Sequence, residues 1–299
     1  MSDSRDSREQ MQLRRATVLR GFAEIAEGQA HYREAGGGRL GTGESVPLVM
    51  LHASPGSAKM LEPLMGQLGL SRHVVAPDTL GNGDSCAPGE AAPSIGYFAD
   101  AHLRVLDALG AEHFDLYGSH TGANIACEIA IKHPHRVRRL ILDGISLYTA
   151  DERADMLAHY APSVAVDQSG SQFHWISQFV RDTFLFWPWY RKQAENRRAI
   201  GLPSADDLHD KTVEVMKSAR TYHIPYRAAI AYDKEDRLPM VRVPTLLTCA
   251  AHDMFMAYFE RVQQLMPAAK PVVTRGYGSS EALVDTCAIF NSFLEQNPL

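Results

Sequence analysis

Short, largely apolar runs alternate with helix-period stretches along most of this chain, and that alternation leaves very few folds open. Val46–His52 (VPLVMLH), His73–Pro77 (HVVAP), His113–Tyr117, Val137–Leu142, Thr245–Ala250 and Pro271–Arg275 are too short for helices. They lack a regular polar alternation, which is the pattern of strands covered on both faces. Between them, residues 57–69, Ser94–Leu109, Thr121–Lys132, Phe255–Leu265 and Ser280–Glu295 space their apolar residues for one helical face, as with Leu61, Leu64, Met65 and Leu68. Strands feeding helices through short loops give a mostly parallel sheet with helices on both faces. Upstream, Arg20–Glu27 and Gln29–Glu34 meet at Gly28 and read as a hairpin at the sheet edge, which makes eight strands.

The alternation stops near residue 146 and resumes near 241. The stretch between is helical, irregular and aromatic, includes FLFWPWYRK at 184–192, and holds all 3 tryptophans. The organisation expected is therefore a flexible N-terminus at 1–19, one α/β core from 20–145 and 241–299, and an aromatic-rich helical cap at 146–240 inserted after the sixth strand. Gly36–Ser45 reads as a Gly-rich loop. A chain of 299 residues easily supports such a core.

A net charge of −5 provides no basic face, so nucleic acid is not an expected partner. No apolar run reaches the roughly 18 residues a membrane span needs, and the N-terminus MSDSRDSREQMQLRR lacks a signal-peptide core, so a cytoplasmic location is expected. Cys86, Cys127, Cys249 and Cys287 are widely spaced, without C-x-x-C, and suggest neither a disulfide framework nor zinc. No metal or other cofactor is expected. The expected partner is a small-molecule substrate, and the chain is read as a monomer or homodimer.

Ligands of open parallel sheets bind beyond the carboxyl ends of the strands, so those loops carry the functional reading. After the strand at 46–52 comes His52-Ala53-Ser54-Pro55-Gly56-Ser57, a tight turn able to aim backbone N–H groups at a substrate oxygen. Asp78-Thr79-Leu80-Gly81-Asn82-Gly83-Asp84-Ser85 reads as a rigid, self-bonded turn. The sharpest feature is Gly118-Ser119-His120-Thr121-Gly122, where a strand enters a helix with glycines flanking a central histidine. Such a turn strains its middle residue and exposes it above the sheet, with the following N–H at a helix N-terminus.

GSHTG, HASPGS at 52–57, DTLGNGDS at 78–85, HPHRVRRLIL at 133–142 and RVPTLLTCAAHD at 242–253 together resemble the α/β-hydrolase superfamily with an inserted cap, over about residues 20–295. The resemblance implies that fold, a nucleophile position at His120, and an oxyanion hole from the N–H groups of Ser54 and Thr121. It places the acid at Asp253, or, as in some members, at Asp143. The departures are clear. Ser119 lies one position too early, and no histidine follows His252; the last-strand loop offers Tyr277 or Ser279 instead.

A histidine at the turn can act as general base toward water or a substrate C–H, or attack an acyl group itself. Asp143 or Asp253 would orient its other nitrogen, while Ser119, Tyr277, Ser279 and His52 are possible auxiliaries. Hydrolysis of an ester, lactone or related carbonyl stands beside two other readings. One is non-hydrolytic base chemistry, such as C–C cleavage, isomerisation or cofactor-free oxygenation, and the other is a non-catalytic ligand-binding member of the fold. Trp175, Trp187, His174 and His223 of the cap are candidate pocket residues for an apolar or aromatic substrate. His102 sits on an apolar helical stripe and reads as a packed core histidine.

Overall fold

In the computed structural model, which describes residues 14–37 and 46–296, the strands are β1 (Val18–Ile25), β2 (Gly28–Ala35), β3 (Leu48–Leu51) and β4 (Val74–Pro77). They continue with β5 (Phe114–Ser119), β6 (Val137–Asp143), β7 (Thr245–Ala250) and β8 (Lys270–Thr274). All eight form one sheet in the order β1-β2-β4-β3-β5-β6-β7-β8. The β1–β2 hairpin joins β4 antiparallel, and every remaining pair is parallel. Residues 1–13 of the expected flexible N-terminus, and 38–45 of the Gly-rich loop, lie outside the described residues. Val18 and Leu19, assigned to that N-terminus from sequence, instead pair with Ala35 and Glu34.

The chain leaves β3 toward β4 on one side and returns to β5 on the other. The loops after β3 and β5 therefore diverge at a switch point, where a parallel sheet opens its natural crevice. Period-two alternation fills both faces. Leu48, Met50, Tyr117, Ile141 and Leu246 face one side, packing with helices α1 (Glu62–Leu68) and α10 (Ser280–Leu294). Val49, Leu51, Leu116, Leu140 and Leu247 face the other, toward α2 (Ile95–Ala108), α3 (Thr121–Lys132) and α9 (Phe259–Leu265). Full burial of each such side chain contributes about 1.5–3 kcal/mol, so this two-sided core dominates stability.

Boundaries differ from the sequence reading where local chemistry intervenes. The expected helix at 57–69 opens with a 3-10 turn at Ala58–Leu61, and α1 begins afresh at Glu62. Pro63 has no N–H to return to the carbonyl of Lys59. β5 runs two residues past its expected end because Gly118 and Ser119 still pair with Leu142 and Asp143 of β6.

Between β6 and β7 lie α4 (Ala150–His159), α5 (Ser171–Leu185), α6 (Ala205–Lys217), α7 (His223–Ala231) and α8 (Lys234–Arg237). Their own small core contains Ile176, Phe179, Val180, Val215 and Tyr222. α6 and the turn after it dock on the loops following β3 and β4: Ser57 Oγ donates to Glu214, Lys217 pairs with Asp84 at 2.8 Å, and Thr221 Oγ1 donates to Gly81 O at 2.7 Å. Among the described residues, no helix is long and apolar enough to cross a membrane.

Candidate active site

The turn from β5 into α3 works only because two residues have no side chain. A Cβ on Gly118 would lie 2.3 Å from Gly122 O, and one on Gly122 would lie 2.2 Å from Leu51 O. Strand, turn, helix and β3 are thus in backbone contact. His120, between them, has φ 50° and ψ −106° and is the non-glycine residue with positive φ among the described residues. That conformation costs about 1–3 kcal/mol and persists because its surroundings over-determine it. His120 N donates to Asp143 O at 3.0 Å, while His120 O accepts from Ala123 N at 3.1 Å and Asn124 N at 3.2 Å.

The ring of His120 meets Asp253, in the loop after β7, with Nε2 and Oδ2 2.8 Å apart. The other carboxylate oxygen accepts from Phe255 N at 2.8 Å, which fixes the acid. Asp143, the rival partner in the sequence reading, has its carboxylate elsewhere. It accepts from Tyr117 Oη at 2.8 Å and Thr248 Oγ1 at 2.9 Å. The reason is register: Asp143 follows Ile141 by two residues and shares its face of the sheet, with α10, whereas the His120 ring packs on Phe255, which belongs to the core of the other face. Asp143 thus touches the turn through its backbone carbonyl.

Burial alone would pull the His120 imidazolium down, but the Asp253 charge and hydrogen bond outweigh it and raise its pKa. Burial would likewise raise Asp253, yet the His120 charge and hydrogen bond and the Phe255 N–H hold it down at about 2. Burial raises Asp143. Gly144 (φ +68°) closes the ring's other side, since a Cβ there would lie 2.6 Å from His120 Cδ2 and 2.7 Å from Nε2. Gly144→Ala is therefore expected to displace the ring from Asp253 and to destabilise the fold by about 1–2 kcal/mol from the left-handed backbone alone. Urea unfolding together with the ¹⁵N shifts of the ring checks both effects.

The β3 loop lies beside this turn, because Gly122 abuts Leu51 O and His52 O. Ser54 and Thr121 are both buried there. Thr121 N–H stands at the first position of α3, where a helix offers no internal acceptor. Ser54 Oγ accepts from Asn82 Nδ2 at 3.2 Å, which ties the loop to the turn after β4. His52 is fully buried, with Nε2 accepting from Thr79 N at 2.9 Å and Nδ1 donating to Ala53 O at 2.8 Å. Both ring nitrogens are committed, so His52 positions the loop.

The other auxiliaries separate in the same way. Ser119 is buried on the Tyr117 face, away from the crevice. Ser279 caps α10, accepting from Ala282 N at 3.2 Å. Tyr277 is half-buried near Asp143 and Asp253; burial and those charges raise its phenol, which stays protonated. His102 is a core residue with Nε2 3.1 Å from Thr79 Oγ1, and burial pushes it down to about 3.

Phe255 lies over the His120 ring, centroids 4.5 Å apart, and was not anticipated from sequence. Trp187 packs edge-on to Phe255 at 5.5 Å, beside Tyr148 at 6.3 Å. Tyr148, Trp187 and Tyr258 line a cavity of about 240 Å³ behind Phe255. Trp187 thus reaches the site through one intervening ring. Trp175 does not: it stacks on Phe179 at 5.2 Å in the insertion's own core. With His174 it lines a different cavity of about 520 Å³, beside Asp182 and Lys192. His223 is half-buried against Tyr222, centroids 5.9 Å apart.

Among the described residues one group with metal-ligand geometry forms, His31, Asp78 and Asp84. Its atoms already serve the β4 turn: His31 Nδ1 binds Asp78 at 2.8 Å, Asp78 accepts from Ala58 N at 2.7 Å, and Asp84 holds Lys217 at 2.8 Å.

The sheet topology agrees with what the chain is similar to. A 2-hydroxymuconate semialdehyde hydrolase of a Pseudomonas species is 40% identical over 129 residues, which is 42% of this chain and 46% of the relative. A 2-hydroxy-6-oxo-2,4-heptadienoate hydrolase of Pseudomonas putida is 36% identical over 132 residues, 41% of this chain and 46% of the relative. The matches span about half the length of these relatives or less. The crystal structure of an enol-lactonase from Burkholderia xenovorans superposes with a TM-score of 0.68 at 19% identity, covering 92% of this chain and 100% of that one. The alpha/beta hydrolase fold family matches residues 46–280, well over half of the chain, and the protein belongs to that family.

Proposed function

We propose that the protein hydrolyses an ester, lactone or related carbonyl compound of an apolar or aromatic small molecule, with His120 as the central reactive group. The names of the two Pseudomonas relatives, both hydrolases, support the reaction class. The observation that carries the reading is the His120–Asp253 pair in a strained turn. In a neutral imidazole one nitrogen donates and the other accepts. With Nε2–H directed to Asp253, Nδ1 keeps its lone pair, and among the described residues no protein group bonds to it.

His120 Nδ1 then takes a proton from water as the oxygen attacks the carbonyl carbon. The negative charge formed on the carbonyl oxygen is received by the N–H groups of Ser54 and Thr121. Collapse expels the leaving oxygen, which receives the proton back from His120, so one water is consumed and an acid and an alcohol are released. Asp253 stabilises the imidazolium formed in between. The helices at 146–240 act as a lid, with Phe255 and Trp187 keeping the crevice apolar and drier.

Turnover of 4-nitrophenyl acetate tests this reading with two substitutions. Ser119→Ala should retain activity within about twofold, and Asp253→Asn should lose about tenfold or more, since the base loses its orienting partner. Loss in Ser119→Ala with retention in Asp253→Asn would move the chemistry off His120.

A further inference from the structure

Lys211, on α6 of the insertion, reaches onto the turn after β3. Its ammonium donates to Pro55 O and sits where a Cβ on Gly56 would lie 2.8 Å from Nζ. Pro55 directly follows Ser54, and that turn abuts the start of α3 beside His120. The ammonium is close enough for its charge to act on both the His120 and His52 rings. An ammonium carries three donors, and among the described residues the one hydrogen bond of Lys211 goes to Pro55 O. Nor does it form an ion pair there. Of the acids on the helix, Asp210 pairs with Lys59 at 3.5 Å, and Glu214, whose charge does act on Lys211, is bonded to Ser57 and, at 2.8 Å, to Lys217.

Anchoring α6 does not require this charge. Ser57–Glu214, Lys217–Asp84 and Thr221–Gly81 already hold the insertion to the same loops, and a neutral donor would serve the Pro55 carbonyl equally. A desolvated cation with no carboxylate bonded to it is unfavourable; the Glu214 charge offsets only part of this, and burial pushes the ammonium down to about 8. An anion arriving in the crevice would supply the missing partner.

We infer that Lys211 is a specificity-determining residue whose two free N–H donors receive a carboxylate of the substrate at the turn after β3. The inference rests on the reading of the His120 crevice as the substrate site, and it adds that the substrate is an organic acid. The insertion thereby contributes a charged contact as well as an apolar cover.

Benzoate and its neutral isostere benzamide, titrated into the full chain and followed by tryptophan fluorescence, test it without requiring turnover. Lys211→Met should weaken benzoate binding by about tenfold or more and leave benzamide within about twofold, as expected for loss of a charge-assisted hydrogen bond. Lys211→Arg should retain most of the preference. Equal weakening of both ligands would make Lys211 a docking contact only, and a wild-type protein that does not prefer benzoate to benzamide would overturn the inference outright. If Lys211→Met fails to fold, the wild-type preference and the Lys211→Arg variant decide. His120→Ala should keep the benzoate preference, so failure of the catalytic reading and failure of this one give different results.

Discussion

His120→Ala is expected to lower kcat/KM for 4-nitrophenyl acetate by about 10²- to 10⁴-fold, the range a positioned proton-transfer group supplies. The Ser54 and Thr121 N–H groups would remain to stabilise the oxyanion, so a residual rate above that in buffer is also expected. Added imidazole should restore part of the lost rate, because the space vacated by the ring lies between Phe255, Gly144 and Asp253. Stability should fall modestly, since alanine keeps the positive φ and leaves Asp253 with only the Phe255 N–H as a partner. Loss of activity through unfolding would show as absence of a cooperative thermal transition, and that is not expected.

Gly122→Ala should have the largest effect on stability, more than about 3 kcal/mol in urea unfolding, beyond ordinary overpacking. The new Cβ would meet Leu51 O at 2.2 Å and Leu51 C at 2.5 Å. Both are backbone atoms of a central strand, so neither can swing aside as a side chain does. Relief requires moving α3 away from β3, which opens the core around Ile125 and Leu51. Gly278→Ala is the matched control: nothing lies within 4 Å of its Cβ and its φ is ordinary. It should shift stability by no more than about 0.5 kcal/mol.

These two predictions rest on a turn that was readable from GSHTG, and the fold was readable for a related reason. A strand buried on both faces must be apolar throughout, and a helix laid on it must be apolar on one side, so alternation along the chain reports layering directly. The choice between Asp143 and Asp253 was not readable. Sequence places both at strand ends, but which one meets His120 depends on which face of the sheet each side chain takes. That parity comes from the pairing of β6 with β5 and β7.

The insertion was less legible. Trp175 and Trp187 look alike in sequence, yet one fills the insertion's core and the other packs on Phe255. The signal separating them is the helical spacing of Trp175 with Ile176, Phe179 and Val180, which marks a helix facing its own small core. Lys211 carried no signal, because a lysine on a polar helix reads as solvated until the helix is docked. Gly144 carried no signal either, because its contact with the His120 ring needs the fold.

The pH dependence of kcat/KM in the wild type and in Asp253→Asn tests most directly whether His120, poised by Asp253, is the base. The wild type should lose activity as pH falls through a value above the ordinary imidazole range, because the Asp253 pairing raises His120 and only its unprotonated form accepts a proton. In Asp253→Asn the carboxylate no longer opposes burial, so the same limb should move to lower pH while the maximal rate falls. A limb that stays in place when Asp253 is neutralised would contradict the account.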